Sequence, residues 1–230
     1  MKICLLCEAK LDKDFIWSSL LYTKRAERLC LDCRNKFQRI SGSLCKKCGR
    51  EQTTEELCRD CLQWEADPET KGLLTQNRSV FLYTEEMKEA LARYKFRGDA
   101  EFVYAFESSF LSTFKSSYPN KSYTLVPIPL SEDRIKERGF NQTELLATLL
   151  DLPTIHPLIR KKNEKQSKKS RRERLRQEDV FTTEHHSVLG KDLILIDDLY
   201  TTGSTLHQAA RCLKKIGGAN SISSFTLIRS

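Results

Sequence analysis

The sequence predicts an α/β protein: a parallel-sheet domain preceded by a small cysteine-rich module. Three observations carry that reading. Eight of the nine cysteines fall in four C-x-x-C pairs, all before residue 65. Downstream, short apolar runs alternate with stretches of helical periodicity, the pattern of parallel strands joined by crossover helices. One of those runs, Leu193–Ile196, leads into Asp197-Asp198 and then into Thr201-Thr202-Gly203-Ser204-Thr205, which opens a helix marked by Leu206, Ala209, Ala210, Leu213 and Ile216.

The cysteine pairs are Cys4/Cys7, Cys30/Cys33, Cys45/Cys48 and Cys58/Cys61. Cys4 and Cys7 occupy the place of a signal-peptide apolar segment, which predicts a cytoplasmic chain. No apolar run approaches the ~20 residues of a membrane span, so no membrane insertion is expected. In a reducing compartment, paired C-x-x-C knuckles point to zinc rather than disulfides. Two pairs complete one tetrahedral site, so two structural zinc ions are expected. Consecutive pairing joins Cys4, Cys7, Cys30 and Cys33, then Cys45, Cys48, Cys58 and Cys61; crossed pairing is equally open to the spacing. The expected organisation is a zinc module over 1–65, a linker over 66–78 and the α/β domain over 79–230. Phe15, Ile16, Trp17, Leu20, Leu21 and Tyr22 form an apolar patch that packs inside the module or docks on the second domain. Cys212 falls on the apolar side of the last helix, as a core residue.

In the second domain, Val80–Tyr83 reads as a strand and Glu85–Tyr94 as a helix, followed by Lys95-Phe96-Arg97-Gly98-Asp99. Phe102, Phe106, Phe110 and Phe114 repeat every four residues, the stripe of a helix packed on the sheet rather than a platform for bases. Tyr123–Val126 is a strand that exits through Pro127-Ile128-Pro129, stiffened by the two prolines. After it come Arg134, Lys136 and Arg138, expected at the same sheet end as Asp197 as a second anion site. Arg138-Gly139-Phe140-Asn141-Gln142 precedes a helix over Glu144–Leu150. The last strand is Ile222–Ile228.

The loop after Leu193–Ile196 has a definite chemistry. Ligands of open α/β sheets sit beyond the carboxyl ends of the strands. Gly203 permits positive φ and close backbone approach. The helix start and the hydroxyls of Thr201, Thr202, Ser204 and Thr205 favour a phosphate. Asp197 and Asp198 would repel that phosphate but accept hydrogen bonds from sugar hydroxyls beside it. A ribose 5-phosphate meets all these demands, and no Gly-Lys-Ser/Thr of a Walker loop occurs. This stretch resembles the signature of the type I phosphoribosyltransferases.

The wider order of zinc knuckles, KFRGD, VPIP, RGFNQ and IDDLYTTGST resembles the ComF family, competence proteins of DNA-uptake systems, over nearly the whole chain. Its basic segment also fits, through Arg160, Gln166, Ser170-Arg171-Arg172-Glu173-Arg174 and Phe181, with Lys165 where relatives have Pro and Gln177 where they have Asn. The resemblance implies cytoplasmic action during transformation, alongside a ComFA-type helicase that draws in single strands. It also implies a phosphoribosyl ligand, 5-phosphoribosyl 1-pyrophosphate (PRPP) or ribose 5-phosphate, with Mg²⁺ on the pyrophosphate and Lys95 and Arg138 as pyrophosphate candidates.

Charge is concentrated rather than spread. The chain carries +8. Between Arg160 and Arg176, ten Lys or Arg against two Glu account for all of it, which suggests a polyanionic partner. Lys168, Lys169, Arg171 and Arg172 are the candidates for single-stranded DNA. The alternative reading is a Mg²⁺-dependent phosphoribosyltransferase acting on an unidentified acceptor. Such enzymes use a hood to select the base, and one helix and one strand after the phosphate loop supply none. Ligand binding is therefore expected ahead of turnover.

Overall fold

In a computed structural model of the chain, residues 3–11, 27–96, 99–119, 122–161 and 180–230 are described. Short helices α1 (Leu31–Asn35) and α2 (Arg59–Ala66) belong to the cysteine-rich segment. Then come β1 (Asn77–Leu82), α3 (Glu85–Phe96), a 3-10 helix (Ala100–Ala105), α4 (Glu107–Ser117), β2 (Thr124–Pro127), α5 (Glu132–Arg138) and α6 (Gln142–Thr148). The antiparallel pair β3 (Ile159–Arg160) and β4 (Phe181–Thr182), then β5 (Asp192–Tyr200), α7 (Ser204–Lys215) and β6 (Ser221–Arg229), complete it.

Among the described residues, four strands form an all-parallel sheet in the order β1-β6-β5-β2. β5 lies inside it, paired to β2 through Thr124↔Leu193 and to β6 through Asp192↔Ser221. Both faces are covered, as parallel sheets require. Ile194 and Ile196 join a core with Met87, Tyr94 and the phenylalanines of α4; Leu193 and Leu195 join another with Leu206, Ala209 and Leu213 of α7.

The cysteine module straddles the β1 edge. Cys4 and Cys33 pack into the first core beside Phe37, whose ring meets Phe81 edge-on at 5.8 Å. Cys45, Cys48, Cys58 and Cys61 pack into the second. Residues between them cap the open edge of β1: Ile40 N–H donates to the Val80 carbonyl and Leu82 N–H to that of Gln38. An exposed parallel edge is thereby removed.

Three elements depart from the sequence pattern, each for a physical reason. β1 begins at Asn77 because its buried amide donates to the Cys48 carbonyl at 3.0 Å and accepts from Ser224 Oγ at 2.9 Å, so a polar residue opens a buried strand. The phenylalanine stripe spans two elements: Phe102 lies in the 3-10 helix, Phe106 caps α4, and Phe110 and Phe114 lie within it. All four rings are buried, as core. The strand expected to stop at Ile196 runs through both aspartates and Leu199 to Tyr200. The apolar patch over Phe15–Tyr22 lies outside the described residues.

Candidate functional site

Because β5 continues past Ile196, Asp197 and Asp198 leave the sheet on opposite faces, following the two-residue alternation of a strand. Asp198 is buried on the α3/α6 side. Lys95 Nζ meets its Oδ2 at 2.5 Å and Gln142 Nε2 donates to the same oxygen at 3.3 Å. Asp197 is half-buried on the other side, where it lines an open cavity with Leu199, Tyr200 and the loop Thr201–Thr205. Its Oδ1 accepts the Asp198 N–H at 2.9 Å.

The two carboxyls are driven apart electrostatically. Burial, and then the Asp198 charge, raise Asp197 well above the usual carboxylate range. Burial also works to raise Asp198, but the Lys95 charge and hydrogen bond, with help from Gln142, outweigh it and hold Asp198 below its ordinary value. Asp198 is thus favoured as the anion of the pair, and Asp197 is the carboxyl that ionises less readily.

Gly203 turns the chain from β5 into α7 with φ 86, the left-handed region that glycine occupies without strain. Tyr200 lies directly beneath it: a Cβ on Gly203 would sit 2.2 Å from the Tyr200 hydroxyl. Thr201 and Thr202 are exposed, and Ser204 and Thr205 half-buried, in the first turn of the twelve-residue α7. The loop therefore offers hydroxyls and helix-start N–H groups to the cavity that Asp197 also lines, a combination suited to a phosphorylated polyol.

The RGFNQ corner is tied into the fold beside this site. Gly139 ends α5 in the left-handed conformation, and Asn141 caps α6 by accepting the Thr143 N–H at 3.2 Å. Asn141 Nδ2 and Thr143 Oγ1 both donate to the Ile128 carbonyl, tying the corner to the exit of β2. Tyr94 OH donates to the Gln142 carbonyl at 2.8 Å. Arg138 is buried; burial lowers its pKa while the Asp198 charge raises it, which places its guanidinium within the field of that carboxylate. Lys95, Arg138 and Asp198 are thus brought together. Arg134 and Lys136 are exposed on α5. Arg160, on β3, reaches the Pro129 carbonyl, lies over the Phe181 ring at 5.6 Å, and feels both Arg134 and Asp197. The DNA candidates Lys168, Lys169, Arg171 and Arg172 lie outside the described residues.

Both cysteine quartets form by consecutive pairing: Cys4, Cys7, Cys30 and Cys33, and Cys45, Cys48, Cys58 and Cys61, the sulfurs of each lying within 4.8 Å of one another. Tetrahedral zinc with Zn–S of about 2.3 Å needs sulfurs about 3.8 Å apart. Cys7 and Cys30 are 3.7 Å apart and Cys48 and Cys58 3.5 Å, so both quartets fit the ion. Backbone N–H groups of Cys30 and Cys58 donate to Cys4 and Cys45 sulfurs, orienting them as ligands. The Cys61 thiol and, against burial, Arg229 pull Cys48 down to about 4, into the thiolate form that metal binding needs.

Two residues at this site escaped the sequence patterns. Trp64 of α2 donates its indole N–H to the Thr202 carbonyl at 2.9 Å and stacks on His207 with centroids 4.1 Å apart. Burial lowers His207 to about 4, so a neutral imidazole faces the indole. Arg229, 2% exposed, donates to the carbonyls of Tyr200 and Thr201 and to Cys48 Sγ. The only signal available was an arginine directly after the apolar pair Leu227-Ile228.

Family models and relatives match the chain over the cysteine-rich segment and the sheet domain. A model described as "Double zinc ribbon domain" matches residues 2–62, and one described as "Phosphoribosyl transferase domain" matches residues 115–230. Competence protein ComFC of Bacillus subtilis is 55% identical over 99% of this chain and 95% of its own length. Competence protein ComFC of Streptococcus pneumoniae is 35% identical, covering 98% and 99%. Adenine phosphoribosyltransferase from Leishmania donovani superposes over 65% of this chain and 83% of its own, with TM-score 0.37 and 14% identity.

Proposed function

Since the chain belongs to the ComF family of competence proteins, we propose that it acts in DNA uptake and transformation by handling incoming single-stranded DNA, and that its pocket binds a phosphoribosyl compound, PRPP or ribose 5-phosphate. The observation that supports the ligand most strongly is one strand–loop–helix unit in which Asp197 and the Thr201–Thr205 loop line the same cavity. In this reading the loop holds the 5-phosphate with its N–H groups and hydroxyls. Asp197 accepts from a ribose hydroxyl, while Asp198, held by Lys95 and Gln142 on the other face of β5, sets the charge beside it. Arg138 supplies positive charge toward the pyrophosphate, and Lys95 divides its charge between that group and Asp198. Mg²⁺ travels on the pyrophosphate rather than in a cage of protein carboxylates.

Two zinc ions, held by the eight cysteines, supply folding energy to a segment too short to build its own core. The basic segment carrying Lys168, Lys169, Arg171 and Arg172, with the zinc module, contacts the phosphates of a single strand without reading its bases. The protein works in the cytoplasm, beside a ComFA-type helicase. Transformation assays with the double variant Asp197→Asn/Asp198→Asn test the link between pocket and uptake. A soluble, zinc-loaded double variant that binds no ribose phosphate is expected to transform poorly; normal transformation by that variant removes the pocket from the function.

A further inference from the structure

The phosphate loop is held from behind by the second cysteine quartet. Three consecutive carbonyls of the loop are engaged: Tyr200 and Thr201 by Arg229, at 3.2 and 2.8 Å, and Thr202 by the Trp64 indole, at 2.9 Å. Both donors are tied to the quartet. Arg229 Nη2 lies 3.6 Å from Cys48 Sγ. Trp64 is three residues beyond Cys61 on α2, whose N-cap is Cys58. The contact continues into α7, because the Trp64 ring stacks on His207, whose backbone N–H donates to the Gly203 carbonyl at 2.9 Å. Beneath the loop, the Arg229 guanidinium lies over the Tyr200 ring at 4.6 Å, and that ring fills the space against Gly203.

A trans peptide points its C=O and the following N–H in opposite directions. Pinning the carbonyls of Tyr200, Thr201 and Thr202 toward the module therefore aims the N–H groups of Thr201, Thr202 and Gly203 away from it. Those are the donors a phosphate would use, and an unpinned glycine-containing loop would have to order them on binding. We propose that Trp64 and Arg229 are positioning residues for the phosphate loop, and that the second zinc knuckle, through them, is part of the phosphoribosyl site while the first is not. The first quartet packs on the opposite face of the sheet and serves as the internal control. This inference rests on the phosphoribosyl reading of the pocket.

The test uses the full, zinc-loaded chain and ribose 5-phosphate as the probe in calorimetry. Trp64→Phe keeps an aromatic ring against His207 and removes the one hydrogen bond to Thr202. It is expected to retain two zinc ions and to unfold within about 4 °C of the wild type, yet to bind about fivefold or more weakly, the equivalent of one net hydrogen bond. Arg229→Lys, which keeps the charge and loses the forked geometry, is expected to weaken binding at least as much. Cys7→Ser should lose one zinc with unchanged affinity. The chain has two tryptophans, so ¹⁵N-tryptophan labelling gives two indole signals, and Trp64→Phe identifies that of Trp64 by its loss. Saturating ribose 5-phosphate should shift it. Unchanged affinity in Trp64→Phe, an indole signal that stays in place, or loss of the second zinc from Trp64→Phe would each overturn the positioning role. A folded, zinc-loaded wild-type chain that binds neither ribose 5-phosphate nor PRPP refutes the phosphoribosyl reading itself, and this inference with it.

Discussion

Substituting Asp197 and Asp198 by Asn, one at a time, should change stability in opposite directions although the residues are neighbours in the chain. Asp198 forms an ion pair with Lys95 in which the two side chains are only 10% and 17% exposed. Breaking a buried pair costs about 3–5 kcal/mol when one charge is left behind. Asn keeps an acceptor for Lys95 and the lysine retains some solvent, so about 2 kcal/mol is expected for Asp198→Asn. For a chain of this length that lowers the unfolding temperature by about 4–8 °C. Burial and the Asp198 charge raise the Asp197 pKa, so ionising it costs stability. Asp197→Asn removes that cost and should raise the unfolding temperature by about 2–4 °C, equivalent to roughly 1 kcal/mol. The pH dependence follows. A carboxyl with raised folded pKa stabilises the fold in acid and loses that contribution as pH rises through it, so the gain from Asp197→Asn appears at neutral pH and fades in acid. Asp198 has the opposite shift: its contribution is present above the usual carboxylate range and lost as pH falls through its lowered value. Scanning calorimetry of both variants between about pH 4.5 and 7.5 should show the Asp197→Asn gain fading toward acid and the Asp198→Asn loss constant across that window. Equal shifts, or a stabilised Asp198→Asn, would refute the assignment of faces and charges. Ribose 5-phosphate affinity should fall in Asp197→Asn, whose side chain lines the cavity, by about fivefold for one weakened hydrogen bond.

Other consequences are simpler. Gly203→Val must move the Tyr200 ring and adopt an unfavourable positive φ; ribose-phosphate binding should vanish while metal analysis still finds two zinc ions per chain. Cys45→Ser should lose one zinc and the second knuckle, leaving the first quartet loaded, as zinc content and limited proteolysis will read. Replacing Lys168, Lys169, Arg171 and Arg172 by Ala should weaken single-stranded DNA binding and reduce its salt slope by about 0.7 for each phosphate no longer neutralised. An unchanged slope moves the DNA site to the zinc module.

Much of this arrangement was legible in the sequence because it is local. The C-x-x-C spacing marked the cysteines of both quartets, and Gly203 with its hydroxylic neighbours marked the loop. The faces of the two aspartates were not legible. A pair of acids looks like the end of an apolar strand, and only Lys95 and Gln142, distant in sequence, let β5 carry Asp198 inward. Followed through to Tyr200, the strand's own alternation would have separated them. Period four held through the phenylalanine stripe even though the helix changes pitch at Phe106, since both segments bury the same face. Trp64 and Arg229 were hidden for a different reason. Their partners lie 138, 28 and 181 residues away, and interactions at that range leave no periodic trace.

The central claim is that the cavity beyond β5 is a phosphoribosyl site. Calorimetric titration of the full, zinc-loaded chain with PRPP and ribose 5-phosphate, with and without Mg²⁺, tests it most directly. The account predicts saturable one-to-one binding of both ligands, strengthened by Mg²⁺ only for PRPP and abolished in Gly203→Val. Absence of binding by the folded wild-type chain, or equal binding by Gly203→Val, would contradict it.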